Sequence, residues 1–218
     1  MSDTPLEEVA LFPLQTVLFP GGQLPLRLFE QRYLEMAKTC LREDRPFGVC
    51  RIREGQEVGE PATPEAVGCL AHIAHWDMVQ LGVLNIVARG AQRFRILERR
   101  IERDGLARAS IVRLPEVVDA PVAAPLRDCV TVLEALLERS GAPSPEAAGT
   151  SGTLDSSAWV SARLAEQLPL PLELKQALLE LDDGAARLAR LREALVALRV
   201  LPAQAPTAPG WLDSAGSA

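Results

Sequence analysis

The chain has 218 residues, 48% of them hydrophobic and 24% charged, which is enough apolar material for a sizeable core in one large or two small domains. Its formal charge of −6 argues against a nucleic-acid coat protein held by diffuse positive charge. Of the 23 cationic residues only Lys38 and Lys175 are lysines, which leaves little room for chemistry that needs a lysine, such as a phosphate-binding Walker loop or a Schiff base.

The chain opens without a basic, apolar leader, and no stretch approaches the roughly 18 apolar residues of a membrane helix. Cys40, Cys50, Cys69 and Cys129 form no C-x-x-C pair and sit inside apolar patterns, as reduced, buried thiols do. The expectation is a cytoplasmic protein with no membrane partner.

Val9–Leu14 is a short apolar run closed by Pro13, and Val17-Leu18-Phe19-Pro20-Gly21-Gly22 joins an apolar run to a turn. From Phe29 the period changes. Phe29, Tyr33, Met36, Ala37, Cys40 and Leu41 share one helical face, with Arg42–Pro46 as the stop. Strands are expected at Phe47–Arg53, Val67–Asp77, Val83–Arg89, Gln92–Arg103 and Leu106–Leu114. The third and fourth of these meet at Gly90, and Asp104-Gly105 signals a type I′ hairpin before the last. Glu54–Glu65 reads as a solvated loop.

Near Pro115–Pro125 the composition becomes Leu- and Ala-rich. Leu126, Val130, Leu133, Leu136 and Leu137 form one apolar face. Asp155 or Ser156 caps a helix through Trp159, Leu164 and Leu168; a short helix follows through Leu174, Leu178 and Leu181. Asp182 or Asp183 caps the last helix, with Leu188, Leu191, Leu195 and Leu198 on one stripe. The Gly/Ser/Pro/Ala-rich stretches 140–157 and 202–218 read as a mobile loop and a frayed tail. The fold class expected is α+β: a small, partly closed antiparallel barrel with one packed helix over residues 1–118, then a helical subdomain over 119–201. Seven of the nine aromatic residues lie at or before Phe94, so the halves build their cores differently.

Catalytic signatures are missing from these residues. No G-x-x-x-x-G-K-[ST] loop or G-x-S-x-G elbow occurs, and Lys175 is expected on a solvated helix face. His72-x-x-His75 invites a metal, but odd spacing on a regular strand puts the imidazoles on opposite faces. Cys69 shares a face with His75 only across about 20 Å. No metal or cofactor is expected.

Two blocks carry a family resemblance. The first is Leu11-Phe12-Pro13-Leu14, then Leu18-Phe19-Pro20-Gly21-Gly22, then Leu24-Pro25-Leu26-Arg27-Leu28-Phe29-Glu30-Gln31-Arg32-Tyr33; the second runs from Gly82 through Gly90 to Arg93-Phe94-Arg95-Ile96. In order and spacing they resemble the Lon amino-terminal (substrate-binding) domain family, strongly over about residues 8–118 and more weakly over Asp182–Leu198. The resemblance implies a PUA-like pseudo-barrel followed by helices, and a role in recognising or holding polypeptide. In the full ATP-dependent proteases this domain precedes an AAA+ ATPase and a Ser–Lys protease domain, whose motifs these residues lack. The function expected is therefore a non-catalytic module for polypeptide clients or for a protease or chaperone partner, with an apolar groove between barrel and helices as the site.

Most motif residues carry a structural expectation. Pro20, Gly21 and Gly22 make a turn; Phe29, Tyr33 and Phe94 anchor the core. Glu30, at the start of the first helix, is expected to bond an arginine from the Arg93 strand or the turn amides before it. Residues 89–113 hold eight arginines against Glu98, Glu102 and Asp104, a local charge of +5. They offer a candidate basic patch of Arg95, Arg99, Arg103 and Arg108 for an acidic peptide or RNA, and the single interleaved aromatic, Phe94, weakens the RNA case. A small-molecule enzyme using His72 or His75, and a homo-oligomer paired through the Leu188–Leu198 stripe, are the remaining alternatives.

Overall fold

The apolar run at the start of the chain is buried on both of its faces, and a ring of strands explains why. A computed structural model describes residues 7–140 and 153–203; the expected loop mobility at 141–152 and the tail beyond 203 lie outside the described residues. Strands β1 (Glu7–Leu14), β2 (Gln23–Leu28), β3 (Phe47–Glu54), β4 (Thr63–Pro64), β5 (Val67–Gln80), β6 (Val83–Ile101) and β7 (Ala107–Arg113) form one seven-stranded sheet, and helix α1 (Gln31–Glu43) follows β2. β1 pairs antiparallel with β7, β7 with β6, β6 with β5 and β5 with β3; β3 returns to β1 as a parallel partner, closing the ring. That β1–β3 pairing is the parallel one within an otherwise antiparallel sheet.

Inside the ring, Val9 and Leu11 pack with Leu70, Phe94 and Ile111. On the outside, Ala10, Phe12 and Leu14 of the same strand pack with Tyr33, Met36, Ala37 and Cys40 of α1. The Tyr33 and Phe12 ring centroids stand 4.2 Å apart. A strand covered on both faces shows a continuous apolar run instead of an alternation.

Phe29 does not join this core; it is 55% exposed. Helical φ/ψ begins at Gln31, and the N-cap Glu30 is extended (φ −76, ψ 135), so Phe29 precedes the helix and does not share its phase. Glu30 pairs with Arg32 at 2.7 Å, and Arg32 donates to the carbonyls of Gly105 and Gly59. The expected bond from Glu30 to the Arg93 strand is absent among the described residues, because Arg93 points into the helical half.

Gly90 is not a boundary between two strands. β6 runs through it without a break, and the residue is glycine because the Phe19–Gly22 turn docks there. A Cβ on Gly90 would lie 2.2 Å from the Phe19 carbonyl oxygen. Gly21 N–H donates to Gly90 O, and Gly90 N–H donates to Gly22 O, each at 2.8 Å. The β6–β7 connection also departs from the type I′ geometry: Gly105 takes φ 83 but Asp104 does not share a positive φ. Gly105 N–H donates to Glu102 O, and the Asp104 carboxylate accepts from Leu106 N–H.

After β7 come a 3-10 turn at Ala124–Leu126 and helices α2 (Arg127–Ser140), α3 (Ser157–Gln167), α4 (Leu172–Glu180) and α5 (Gly184–Ala197). Ser156 caps α3 by accepting from Trp159 N–H, and Asp183 caps α5 by accepting from Ala186 N–H. The Leu188, Leu191 and Leu195 stripe is spent inside this core with Leu133, Val160 and Leu164, so it pairs within the chain; Leu198 falls outside it. Val17, Phe19 and Val67 belong to the same buried cluster. The first half of the chain thus drives an aromatic ring into the leucine core of the second.

Gly90→Ala should overpack the turn contact by roughly 1–3 kcal/mol. The thermal unfolding midpoint is expected to fall by about 4–10 °C, measured by circular dichroism; an unchanged midpoint would show that the turn is free to move away.

Candidate functional site: a groove between barrel and helices

The turn after Phe19, the middle of β6, the linker after β7 and the first turns of α3 surround a groove of about 530 Å³. Pro20, Ala91, Val117, Trp159 and Ala162 supply its apolar walls. Gln92, Glu116, Asp119 and Ser156 supply polar groups, and Arg93 and Arg187 also line it.

Those two arginines hold the junction together. Arg93 is 2% exposed and Arg187 1%. Arg93 donates from Nη1 to the carbonyls of Leu179 and Leu181 (3.0 Å each), and from Nη2 to Pro115 O (3.1 Å) and the Asp182 carboxylate (2.8 Å). Arg187 donates from Nε to Leu178 O and from Nη2 to Leu181 O, both at 2.8 Å. The acceptors at the end of α4 are orphan carbonyls at the negative end of a helix, where a cation is favoured. Burial, reinforced by the like charge of Arg93 and opposed by Asp182, pulls Arg187 down to about 10. Asp119 is fixed beside them, accepting from Ala158 N–H and Ala120 N–H at 2.9 Å and from the Ser157 hydroxyl at 3.3 Å. Burial opposes its ionisation, but these donors outweigh it and hold the carboxyl below its ordinary range.

The turn on the groove's other side is clamped from α3. Arg163 donates to Pro20 O at 2.6 Å and pairs with Glu166 at 2.8 Å. The Glu166 carboxylate occupies the space where Gly22 lacks a side chain, since a Cβ there would lie 1.8 Å from Oε1. Burial pushes the Glu166 carboxyl up to about 7, against the pull of Arg163, the Phe19 N–H and Lys175. Lys175 is half-buried rather than solvated: it donates to the Glu166 carbonyl at 3.2 Å, and desolvation lowers its pKa.

Of the motif residues, Phe19, Pro20, Gly90 and Arg93 meet at or under this groove. Pro13 and Phe94 are buried in the barrel, Tyr33 is buried on α1 against its outside and Arg32 bridges its loops, whereas Leu24 and Leu26 pack partly against the core under α1. Pro25 lies elsewhere, beside a hollow of about 300 Å³ on the outer face of the β2–β6–β5 ladder, with Arg27, His75, Asp77 and Asn85. Gly82 turns the β5–β6 hairpin with φ 81. Around that hairpin stand Trp76 (53% exposed), Met78 (49%) and Leu81 (95%), a second apolar surface that no spacing argument had singled out.

A bulge in β5 corrects the reading of the histidine pair. His72 pairs with Arg89 and His75 with Val87, with a register shift between Ile73 and His75, so the register puts both on one face of the sheet. Among the described residues, however, no group of three His, Cys, Asp or Glu side chains is placed to hold a metal.

The arginine run is largely spoken for. Arg100 pairs with Glu8 and Glu102, Arg108 with Glu102 at 2.9 Å, and Arg113 with Glu7 at 2.7 Å. Arg99 donates to Ala62 O at 2.7 Å. Arg95 and Arg103 are exposed and make no hydrogen bond or ion pair among the described residues.

The fold and groove define an α+β class: a ring-closed pseudo-barrel capped by one helix and extended by a helical subdomain. The chain belongs to the ATP-dependent protease La (LON) substrate-binding domain family, whose model matches residues 8–197. A solved structure, the Lon N-terminal domain protein from Xanthomonas campestris, superposes with a TM-score of 0.71 at 34% identity, covering 86% of this chain and 98% of that one. Lon protease of Cytophaga hutchinsonii is 27% identical over 177 residues, which is 78% of this chain and 22% of that protein. Protein cereblon of Gallus gallus is 32% identical over 108 residues, 48% of this chain and 23% of its own length. The chain thus spans about a fifth to a quarter of the curated relatives it matches.

Two outcomes follow from this geometry. Arg93→Ala takes the donor from the carbonyls of Leu179 and Pro115, while Leu181 O keeps Arg187 and the Asp182 carboxylate is exposed; it should lower stability by about 1–3 kcal/mol, visible as a fall in melting midpoint of about 5 °C. Glu166 binds its proton more tightly when folded, so stability falls as pH rises from the unfolded carboxyl range near ~4.3 through about 7. Between pH 5 and pH 8 the native chain should lose on the order of 5 °C relative to Glu166→Gln; parallel melting curves would show the carboxylate ionised throughout.

Proposed function

We propose that this chain is a non-catalytic module that binds extended polypeptide in the groove between barrel and helices, holding or presenting it for a protease. The observation that carries the reading is the groove: about 530 Å³ in volume, inside the roughly 300–1,000 Å³ of ligand sites. Trp159 and Pro20 give rigid apolar walls, and amide, carboxylate and guanidinium groups lie between them. Family membership supports the same reading, because the matched family is a substrate-binding domain. Ion pairing of Arg100, Arg108 and Arg113 with Glu7, Glu8 and Glu102 offsets much of the positive charge on β6 and β7, which favours polypeptide over nucleic acid as the ligand.

The test is fluorescence anisotropy with a labelled, permanently unfolded polypeptide and no nucleotide. Binding should be saturable, and Trp159→Ala should weaken it about tenfold, as removal of an aromatic anchor does. Absence of binding to the native chain would overturn the proposal. Equal binding by native chain and variant would move the site away from the groove.

A further inference from the structure

Arg187 has a donor that the protein does not use. Its side chain is 1% exposed and lines the groove. Nε and Nη2 are bonded to the carbonyls of Leu178 and Leu181, while Nη1 finds no acceptor among the described residues. A guanidinium carries five N–H groups and no acceptor, so both Nη1 protons are left for a ligand or solvent. Among the described residues Arg187 Nη1 is not one of the sealed side-chain atoms without a partner, so it is open to solvent, and a ligand acceptor can take the place of water there.

The neighbouring charges do not fill that role. Arg93 keeps Asp182, the one carboxylate bonded to either guanidinium. Asp119 is engaged by Ala158, Ala120 and Ser157, and Glu116 is exposed on the rim. Arg93 and Arg187 thus both line the groove, and among the described residues Asp182 is the carboxylate bonded there. The low pKa of Arg187, caused first by burial and then by Arg93, reflects the same imbalance.

We infer that the groove recognises a carboxylate, seated on Arg187 Nη1, carried by an extended polypeptide whose adjoining apolar residues pack on Trp159 and Pro20. This rests on the polypeptide-binding reading above and narrows it. Charge-assisted hydrogen bonds from arginine to a carboxylate are short and strong where water is excluded. The acidic rim of Glu116 and Asp119 repels ligands of higher negative charge, so a single carboxylate suits the site better than a phosphate. The carboxylate comes either from a chain terminus or from an aspartate or glutamate side chain.

Four labelled peptides of one apolar sequence separate these sources and test the inference by anisotropy. One has a free C-terminal carboxylate; the second is C-terminally amidated. The third is amidated with one internal Asp, and the fourth has Asn in that place. At least one carboxylate-bearing peptide should bind ten or more times more tightly than its neutral counterpart, and Trp159→Ala should weaken it about tenfold. Arg187→Lys retains the charge but loses the fork of donors, and it should reduce the preference to less than threefold if its melting curve shows a folded protein. If that variant unfolds, the peptide series on the native chain decides alone. Equal affinity for all four peptides overturns the carboxylate inference while leaving polypeptide binding intact. Failure of every peptide to bind overturns both. Affinity for the carboxylate-bearing peptide untouched by Trp159→Ala places the peptide elsewhere and also overturns the inference.

Discussion

Arg93 brings a full positive charge into the junction between barrel and helices, and the groups on either side of it make that burial tolerable. Its four hydrogen bonds go to three main-chain carbonyls and one carboxylate, drawn from the end of α4, the loop after it and the linker after β7. Arg187 reaches the same helix end from α5, sharing Leu181 O with Arg93 and bonding Leu178 O besides. A buried cation of this kind is stable only when its donors are matched, so the end of α4, the start of α5 and the middle of β6 are held in one arrangement. The groove exists because that arrangement leaves space between α3 and the strand.

The second tie runs in the opposite direction. Phe19 enters the leucine core of the helices, and the Arg187 guanidinium stands 5.9 Å from its ring centroid. The turn that follows is hydrogen-bonded to Gly90 and clamped by Arg163 and Glu166. A stiff turn on one side of the groove and an arginine-fixed linker on the other give a preformed site, and a preformed site loses less entropy when a flexible chain settles into it.

Much of this was legible along the chain. Tyr33, Met36, Ala37 and Cys40 declared α1 by their spacing, and Leu188, Leu191 and Leu195 declared α5, because helical period is a local property. The Phe-Pro-Gly-Gly turn and the Arg93-Phe94 block carried the family resemblance. The candidate site was less legible. Arg187 sits among the leucines of α5, and a lone arginine on an apolar stripe was the available signal for it; Trp159 had none beyond its place on a helix. Phe29 misled because it lies one residue before the cap, where helical phase has not begun. Gly90 misled because a glycine that admits a neighbouring turn looks the same in sequence as one that makes its own. The His72–His75 pair misled because a bulge shifts register by one residue and so reverses faces.

By itself the sequence determined the element types, the division between a strand-rich and a leucine-rich half, and the family, since each depends on neighbours within a few turns or on an ordered motif. Tertiary structure alone decided that β3 closes the ring on β1, that Arg93 serves the helices and not Glu30, and that Arg100, Arg108 and Arg113 pair with glutamates. It also decided where the groove lies and which guanidinium has a donor to spare. These outcomes depend on pairs of residues as many as 106 positions apart, as in Arg113 and Glu7. Burial and charge pairing at that separation come from how the chain is folded back, not from local pattern.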